Sequence, residues 1–169
     1  GKAIGTVVAA AATGAFGAFI KESIDLADNA SKAAQMAGVT TEALTGLQYA
    51  AGLADVSAGE LNNSLKFLNL SISKAAAGGK DAQRAFGDIG VSIRTASGEI
   101  RSADAVLLDV ADSFSQYENG AEKAALAQEL FGRSGTALIP LLNSGAAGIN
   151  ELTAQAERFG LVVSQETAT

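Results

Sequence analysis

The spacing of the large apolar residues is the feature that most constrains this chain. Leu61, Leu65, Leu68 and Ile72 recur every three or four positions, which places their side chains on one face of an α-helix. A capping box, the usual start of a helix, begins at Ser57, directly before this stripe. Comparable stripes, separated by glycines, fill most of the sequence. We therefore predict a mostly all-α fold built from several short amphipathic helices.

The N-terminal part differs from the rest because it contains an uncharged run from Ala3 to Ile20, between Lys2 and Lys21. We predict that residues 1–37 form one long helix rich in Ala and Gly, and that residues 38–169 form a compact helical module. The chain starts at Gly1 and stops in polar sequence, so we expect it to be a fragment of a longer protein.

The uncharged run allows two interpretations, an Ala-rich packing helix or a segment that enters a membrane under some conditions. Its length is close to the minimum for crossing a bilayer of ~30 Å, but its small residues contribute little transfer energy. We therefore predict that it is not a permanent membrane anchor. The residues that would define such a membrane segment are Ala3, Val7, Val8, Phe16, Phe19 and Ile20.

A short stretch with a period of two interrupts the helical pattern. Val91, Ile93 and Thr95 alternate with polar residues, a turn follows at residues 96–98, and the apolar pattern resumes at Ile100. This arrangement predicts one small β-hairpin, which would need helices to pack against.

Three further interpretations concern the second half of the chain. Asn119 and Glu122 have the spacing of a capping box, so we expect Asn119 to cap a helix that runs to Phe131. Asp109 and Asp112 lie on a face that the pattern predicts to be solvated, and we interpret them as charges that favour solubility. The last amphipathic helix has its apolar face at Ile149, Leu152, Ala156 and Phe159.

The residue types present exclude the commonest kinds of catalysis. The chain contains no His and no Cys, so it lacks the usual general base, thiolate nucleophiles and His or Cys zinc ligands. Gly79-Lys80 is not a P-loop, because Lys74 and Asp81 occupy the positions that require Gly and Ser or Thr. We therefore expect neither enzymatic activity nor a cofactor.

Charge and side-chain size narrow the range of partners. The formal net charge is −6 and the basic residues are scattered, so specific nucleic-acid binding is not expected. Ala and Gly make up 55 of the 169 residues. Such small residues let helices approach closely but bury little area, so we expect modest stability without partners.

The C-terminal third contains a recognisable succession of short stretches. ELFGRSG at 129–135 is followed by LIPLL at 138–142, GINEL at 148–152 and FGLV at 159–162. This order resembles the core region of phage tail tape measure proteins of the minor tail protein type, as do the stretches at 38–44, 47–51 and 96–101. The similarity covers roughly residues 19–164. The positions that carry the family motif are Phe131, Gly132, Gly135, Leu138, Pro140, Leu141, Leu142, Gly145, Ile149 and Leu152.

These residue types indicate packing and not chemistry. The apolar residues are anchors, Pro140 fixes a helix start or kink, and we expect Gly132, Gly135, Gly145 and Gly148 to provide tight reversals between helices. An anion-binding nest at residues 132–135 is the competing interpretation of those first glycines.

The resemblance implies a structural virion component located in the lumen of the tail tube. Such a protein sets tube length during tail assembly in the host cytoplasm and leaves the tube at DNA ejection. Its implied partners are tail tube and tail tip proteins and other copies of itself, as a homo-oligomer, with conditional membrane contact. A membrane-active helical protein, either a pore former or a secreted toxin, is the alternative. A catalytic domain completed by another chain is a third hypothesis.

Overall fold

The computed structural model describes residues 27–164. Residues 27–37 are helical (α1), and Gly38 ends this helix in the left-handed conformation at φ +69°. Asp28 and Lys32 form an exposed i,i+4 ion pair of 2.7 Å along it. Most of the predicted N-terminal helix, including the entire uncharged run with Ala3, Val7, Val8, Phe16, Phe19 and Ile20, lies outside the described residues.

The prediction of a mostly helical chain is confirmed. After α1 the helices are α2 (Thr41–Leu53), α3 (Ala58–Ala76), α4 (Lys80–Asp88), α5 (Ala103–Gln116), α6 (Ala121–Phe131), a 3₁₀ helix (Gly132–Leu138), α7 (Ile139–Leu142) and α8 (Gly145–Arg158).

The centre of the fold is α3, the longest of these helices. It begins with the predicted capping box: the Ser57 hydroxyl accepts from the backbone N–H of Glu60, and the Glu60 carboxylate accepts from the backbone N–H of Ser57. Its predicted stripe is fully buried, and α3 packs against α2, α4, α5, α6 and the 3₁₀ helix. In turn, α8 packs against α2 and α5. The local pattern of α3 thus organises most of the described chain.

The predicted β-hairpin is not supported, because residues 91–100 form no β-strand. Within residues 27–164 the only β-type pairing is a single antiparallel bridge between Arg94 and Ile100, and Ile100 is 54% exposed. Val91 has a different role, because its N–H bonds to the carbonyl of Phe86 (3.0 Å) while Gly90 adopts φ +69°. This is a Schellman motif at the end of α4. The alternation that resembled a strand therefore comes partly from a helix C-terminus.

Two predictions for residues near helix ends, the cap at Asn119 and the buried position of Phe159, are also wrong. Gly120, not Asn119, is the N-cap of α6, and the Asn119 side-chain oxygen accepts instead from the amine of Lys123. Phe159 lies at the C-cap of α8, where Gly160 turns the chain at φ +68°, and its side chain is 63% exposed. Because Phe159 keeps helical backbone angles, its exposure means that no other element of residues 27–164 covers most of its side chain.

Candidate functional site

The residues that resemble the tape measure motif fold into the segment from the end of α6 to the middle of α8. Five of its apolar side chains are buried in the core: Phe131, Leu138, Leu141, Leu142 and Ile149. The Phe131 ring meets Phe114 of α5 edge to face at 6.4 Å between centroids. Leu152 is half-buried against the same core, whereas Pro140 is exposed in the first turn of α7, where its fixed φ suits a helix start.

Gly132 and Gly135 allow this segment to fold back on α6. Gly132 ends α6 with φ +75°, and a Cβ placed there would lie 2.9 Å from the ring of Phe67 on α3. At Gly135 a Cβ would lie 2.1 Å from the carbonyl oxygen of Ala127, which is backbone and has little freedom to move. These contacts favour close packing over an anion-binding nest as the reason for both glycines.

The two later glycines of the motif have different roles. Gly145 begins α8 with φ +66°, the reversal that we expected. Gly148 is not a reversal, because it lies inside α8. A Cβ at Gly148 would lie 2.8 Å from the Cβ of Ser144, so this position is crowded by the preceding turn of chain.

Asp112 has a structural role that the sequence did not indicate. Its carboxylate, on α5, accepts a 2.7 Å hydrogen bond from the N–H of Ala146 and so caps α8 from another helix. A carboxylate at this end also interacts favourably with the helix dipole. Its neighbour Asp109 pairs with Arg101 at 2.6 Å. Our interpretation of both carboxylates as solubility charges therefore missed two tertiary contacts.

Lys123 is a buried cation that sequence reasoning also missed. Only 2% of the residue is exposed. Its amine donates to the backbone carbonyl of Tyr117 (3.1 Å) and to the side-chain oxygens of Asn119 and Asn143. These acceptors are all neutral, and they lie after α5, before α6 and after α7. The amine thus joins α6 to two connections beside the motif, the one between α5 and α6 and the one between α7 and α8. The neighbours of Lys123 in sequence give no sign of burial, because a lysine near acidic residues in a short helix is usually exposed to solvent.

An exposed groove of about 640 Å³ borders the motif where α1, α3 and the 3₁₀ helix meet. Its apolar lining includes Met36, Phe67 and Leu70, which are 56%, 37% and 48% exposed. Lys66 and Arg133 add two cations. We call these five residues the basic groove. An exposed apolar patch of this kind, rimmed by charge, is typical of an interaction surface.

No helix within residues 27–164 combines the length and apolar character needed to span a bilayer. Over that range, no three acidic side chains come together as a set suited to a metal ion.

Comparisons with known proteins add no family assignment. No protein-family model, curated protein or solved structure matches the chain.

Proposed function

We propose that the chain is a structural segment of a bacteriophage tail tape measure protein. The succession of short motifs between residues 129 and 162 carries the proposal, and the way in which these residues fold supports it. In a structural segment, we expect signature residues to serve packing. Phe131, Leu141 and Ile149 are buried, and Gly135 has no room for a side chain.

Within such a protein, this segment would be a folded module and not the measuring rod. A helix gains only about 1.5 Å per residue, so a rod that measures the length of a tail requires a long uninterrupted helix. The longest helix within residues 27–164, α3, has 19 residues, and the chain then reverses at Gly78, which has φ +95°. The core joins helices from α1 to α8 around α3.

The proposal also specifies location and partners. The module would lie in the lumen of the tail tube, after assembly in the host cytoplasm, and would contact tail tube and tail tip proteins and other copies of itself. We propose no catalytic role, since the whole sequence lacks His and Cys. Conditional membrane contact at ejection would involve residues 3–20, which lie outside the described range.

Detection in virions tests the assignment directly. An antibody raised against the 169-residue chain should label the tails of the phage particles whose genome encodes it, and mass spectrometry of purified tails should recover its peptides. Particles free of the protein would contradict the proposal.

An in-frame deletion of residues 27–164 tests the distinction between module and rod. A single extended helix of that length would account for roughly 200 Å of tail, at about 1.5 Å per residue. For a folded module, we expect failed assembly or tails not shortened by that amount. A shortening of roughly 200 Å in otherwise normal tails would identify the segment as part of the rod.

The alternative, a membrane-active helical protein, rests on the uncharged run at residues 3–20. Dye release from lipid vesicles separates it from the proposal. We expect no release by the full chain at neutral pH. Release that is lost when residues 1–26 are removed would favour the alternative.

A further inference from the structure

One dipeptide of this chain combines a reactive sequence with an unusual setting. Asn119 is followed by Gly120, and this is the only Asn-Gly pair among the 169 residues. The pair lies in the short connection between α5 and α6, where both residues are exposed. In such a pair, the backbone nitrogen of the glycine and the side-chain Cγ of the asparagine can close a five-membered ring. Glycine has no Cβ, so it leaves this close approach open.

The backbone nitrogen of Gly120 is available for this reaction. Gly120 precedes the first turn of α6 with an extended backbone, at φ 169° and ψ −170°. Within residues 27–164, no backbone hydrogen bond engages its N–H. The amide that follows Asn143 differs, because the N–H of Ser144 donates to the carbonyl of Leu141 at 3.1 Å. The remaining asparagines all lie inside helices: Asn29, Asn62, Asn63, Asn69 and Asn150.

The side-chain carbonyl of Asn119 is polarised by two donors. Its Oδ1 accepts from the amine of Lys123 at 3.2 Å and from the side-chain amide of Asn143 at 3.5 Å. Lys123 is 2% exposed, and its other acceptors are also neutral oxygens. Attack on Cγ places negative charge on Oδ1, and donors already directed at that oxygen stabilise the charge. The buried cation therefore favours the reaction at Asn119.

We propose that Asn119 is a site of spontaneous deamidation, which turns a neutral acceptor of Lys123 into an anion. The Gly120 nitrogen gives its proton to solvent and attacks Cγ of Asn119. The new N–Cγ bond closes a succinimide ring, and the Cγ–Nδ2 bond breaks as ammonia leaves with a proton. Water then opens the ring at either carbonyl, which yields aspartate or isoaspartate. Overall, an amide and water become an acid and ammonia, with nothing oxidised or reduced.

The aspartate product changes the charge around the buried amine. Residue 119 then presents a carboxylate to Lys123, whose acceptors before the reaction are neutral oxygens. Hydrogen bonds between charged partners are shorter and stronger than neutral ones. The aspartate should therefore hold α6 more firmly to the connection that precedes it. This inference concerns a covalent change of the chain and does not depend on the proposed function.

Timed incubation of the folded full chain at mildly alkaline pH, followed by peptide mapping with mass spectrometry, tests the proposal. We expect conversion at Asn119 to be extensive before any is measurable at Asn143, which serves as the internal reference. Both aspartate and isoaspartate should form, because direct hydrolysis of the amide gives aspartate only. An amide that persists at Asn119, or aspartate without isoaspartate, would overturn the proposal.

Gly120→Ala is the matched variant for the attacking nitrogen. A Cβ at residue 120 meets nothing within 4 Å, and the extended backbone there suits any residue, so the fold should be retained. Because the methyl group hinders the close approach that glycine permits, conversion at Asn119 should slow by roughly tenfold or more. Equal rates in the two chains, with matching thermal melts, would exclude attack by the nitrogen of residue 120.

Incubation in concentrated urea separates the effect of the dipeptide from the effect of the fold. Unfolding keeps the Asn-Gly pair but removes the two donors at Oδ1 of Asn119. We expect Asn119 to convert at least as fast in the folded chain as in urea, whereas Asn143 should convert faster in urea. Slower conversion of Asn119 in the folded chain would show that folding protects the pair, and it would refute the activation by Lys123.

The substitution Asn119→Asp reproduces the aspartate product without the isoaspartate. We expect its melting temperature to lie a few degrees above that of the unsubstituted chain, because the carboxylate pairs with Lys123. Asn29→Asp adds the same charge at an exposed position on α1 and should give a smaller change. A rise no larger than that of this control would show that the carboxylate does not pair with Lys123.

Discussion

The N-termini of α3 and α8 are closed in different ways. At α3, Ser57 and Glu60 cap the helix within four residues of chain. At α8, the preceding Ser144 makes no capping bond, and the acceptor is Asp112, which lies 34 positions away from the amide of Ala146. One helix start is encoded locally, whereas the other exists only once α5 and α8 have packed together.

The same contrast holds for the regions around these two helix starts. The stripe on α3 follows a spacing visible in sequence, and its partners gather around it. The segment from Phe131 to Ile149 is irregular in sequence, and contacts with α3, α5 and α6 determine its path. The irregular segment should therefore be the more sensitive to changes at its points of contact.

Truncation of the buried motif residues should have the largest effect. We expect Phe131→Ala and Leu141→Ala each to reduce the free energy of unfolding by about 2–5 kcal/mol, from lost burial and the cavity left behind. Leu53→Ala is the matched control, because Leu53 is 57% exposed and should change stability by less than about 0.5 kcal/mol. Urea denaturation followed by circular dichroism measures all three, and equal effects at Leu141 and Leu53 would remove the proposed difference.

Gly135→Ala should have the next largest effect. Its new methyl group meets the Ala127 carbonyl oxygen at 2.1 Å, and we expect a loss of roughly 1–3 kcal/mol from forced backbone shifts. Gly52→Ala adds the same group inside α2 with nothing within 4 Å, and it should stabilise the protein by about 0.4–1 kcal/mol. Thermal melts of the two variants should therefore shift in opposite directions, and a shared direction would contradict the packing role of Gly135.

Loss of either cap should have the smallest effect, about 1 kcal/mol for Ser57→Ala and for Asp112→Ala. The two variants are distinguished by the amide at which hydrogen exchange accelerates. Hydrogen exchange should accelerate at the Glu60 amide in the first variant and at the Ala146 amide in the second. Asp112→Asn keeps an acceptor and should retain most of the protection at Ala146. Unchanged exchange there in Asp112→Ala would show that the long-range cap contributes nothing.

Prediction from sequence succeeded where the physical information lies within one or two turns of chain. The capping box at Ser57, the buried face of α3 and the helix stop at Gly38 all depend on residues fewer than about five positions apart. It failed at Val91 because, over a few positions, a Schellman motif can have the same alternation of apolar and polar residues as a β-strand. It failed at Phe159 because helical spacing places a side chain on a face of the helix but does not show whether another element covers that end of the face.

The components of the candidate site were only partly visible in sequence. The motif residues were identified through the resemblance, and Gly132 and Gly145 are the turns that glycine patterns indicate. Gly148 was misassigned because the sequence does not distinguish a glycine inside a helix from a glycine in a turn. The basic groove could not have been predicted, since Met36, Phe67 and Arg133 come from separate elements and meet only after folding.

The sequence by itself determined that the described chain is helical, where several of its helices begin and end, and that His- or Cys-based chemistry is absent. These properties follow from backbone geometry and residue type, which act locally. Tertiary structure alone decided that Lys123 is buried among neutral oxygens, that Asp112 caps a distant helix, and that Gly135 has no room for a methyl group. Each of these depends on which helices pack together, and that choice minimises the exposed apolar area of the whole chain and not of any one segment.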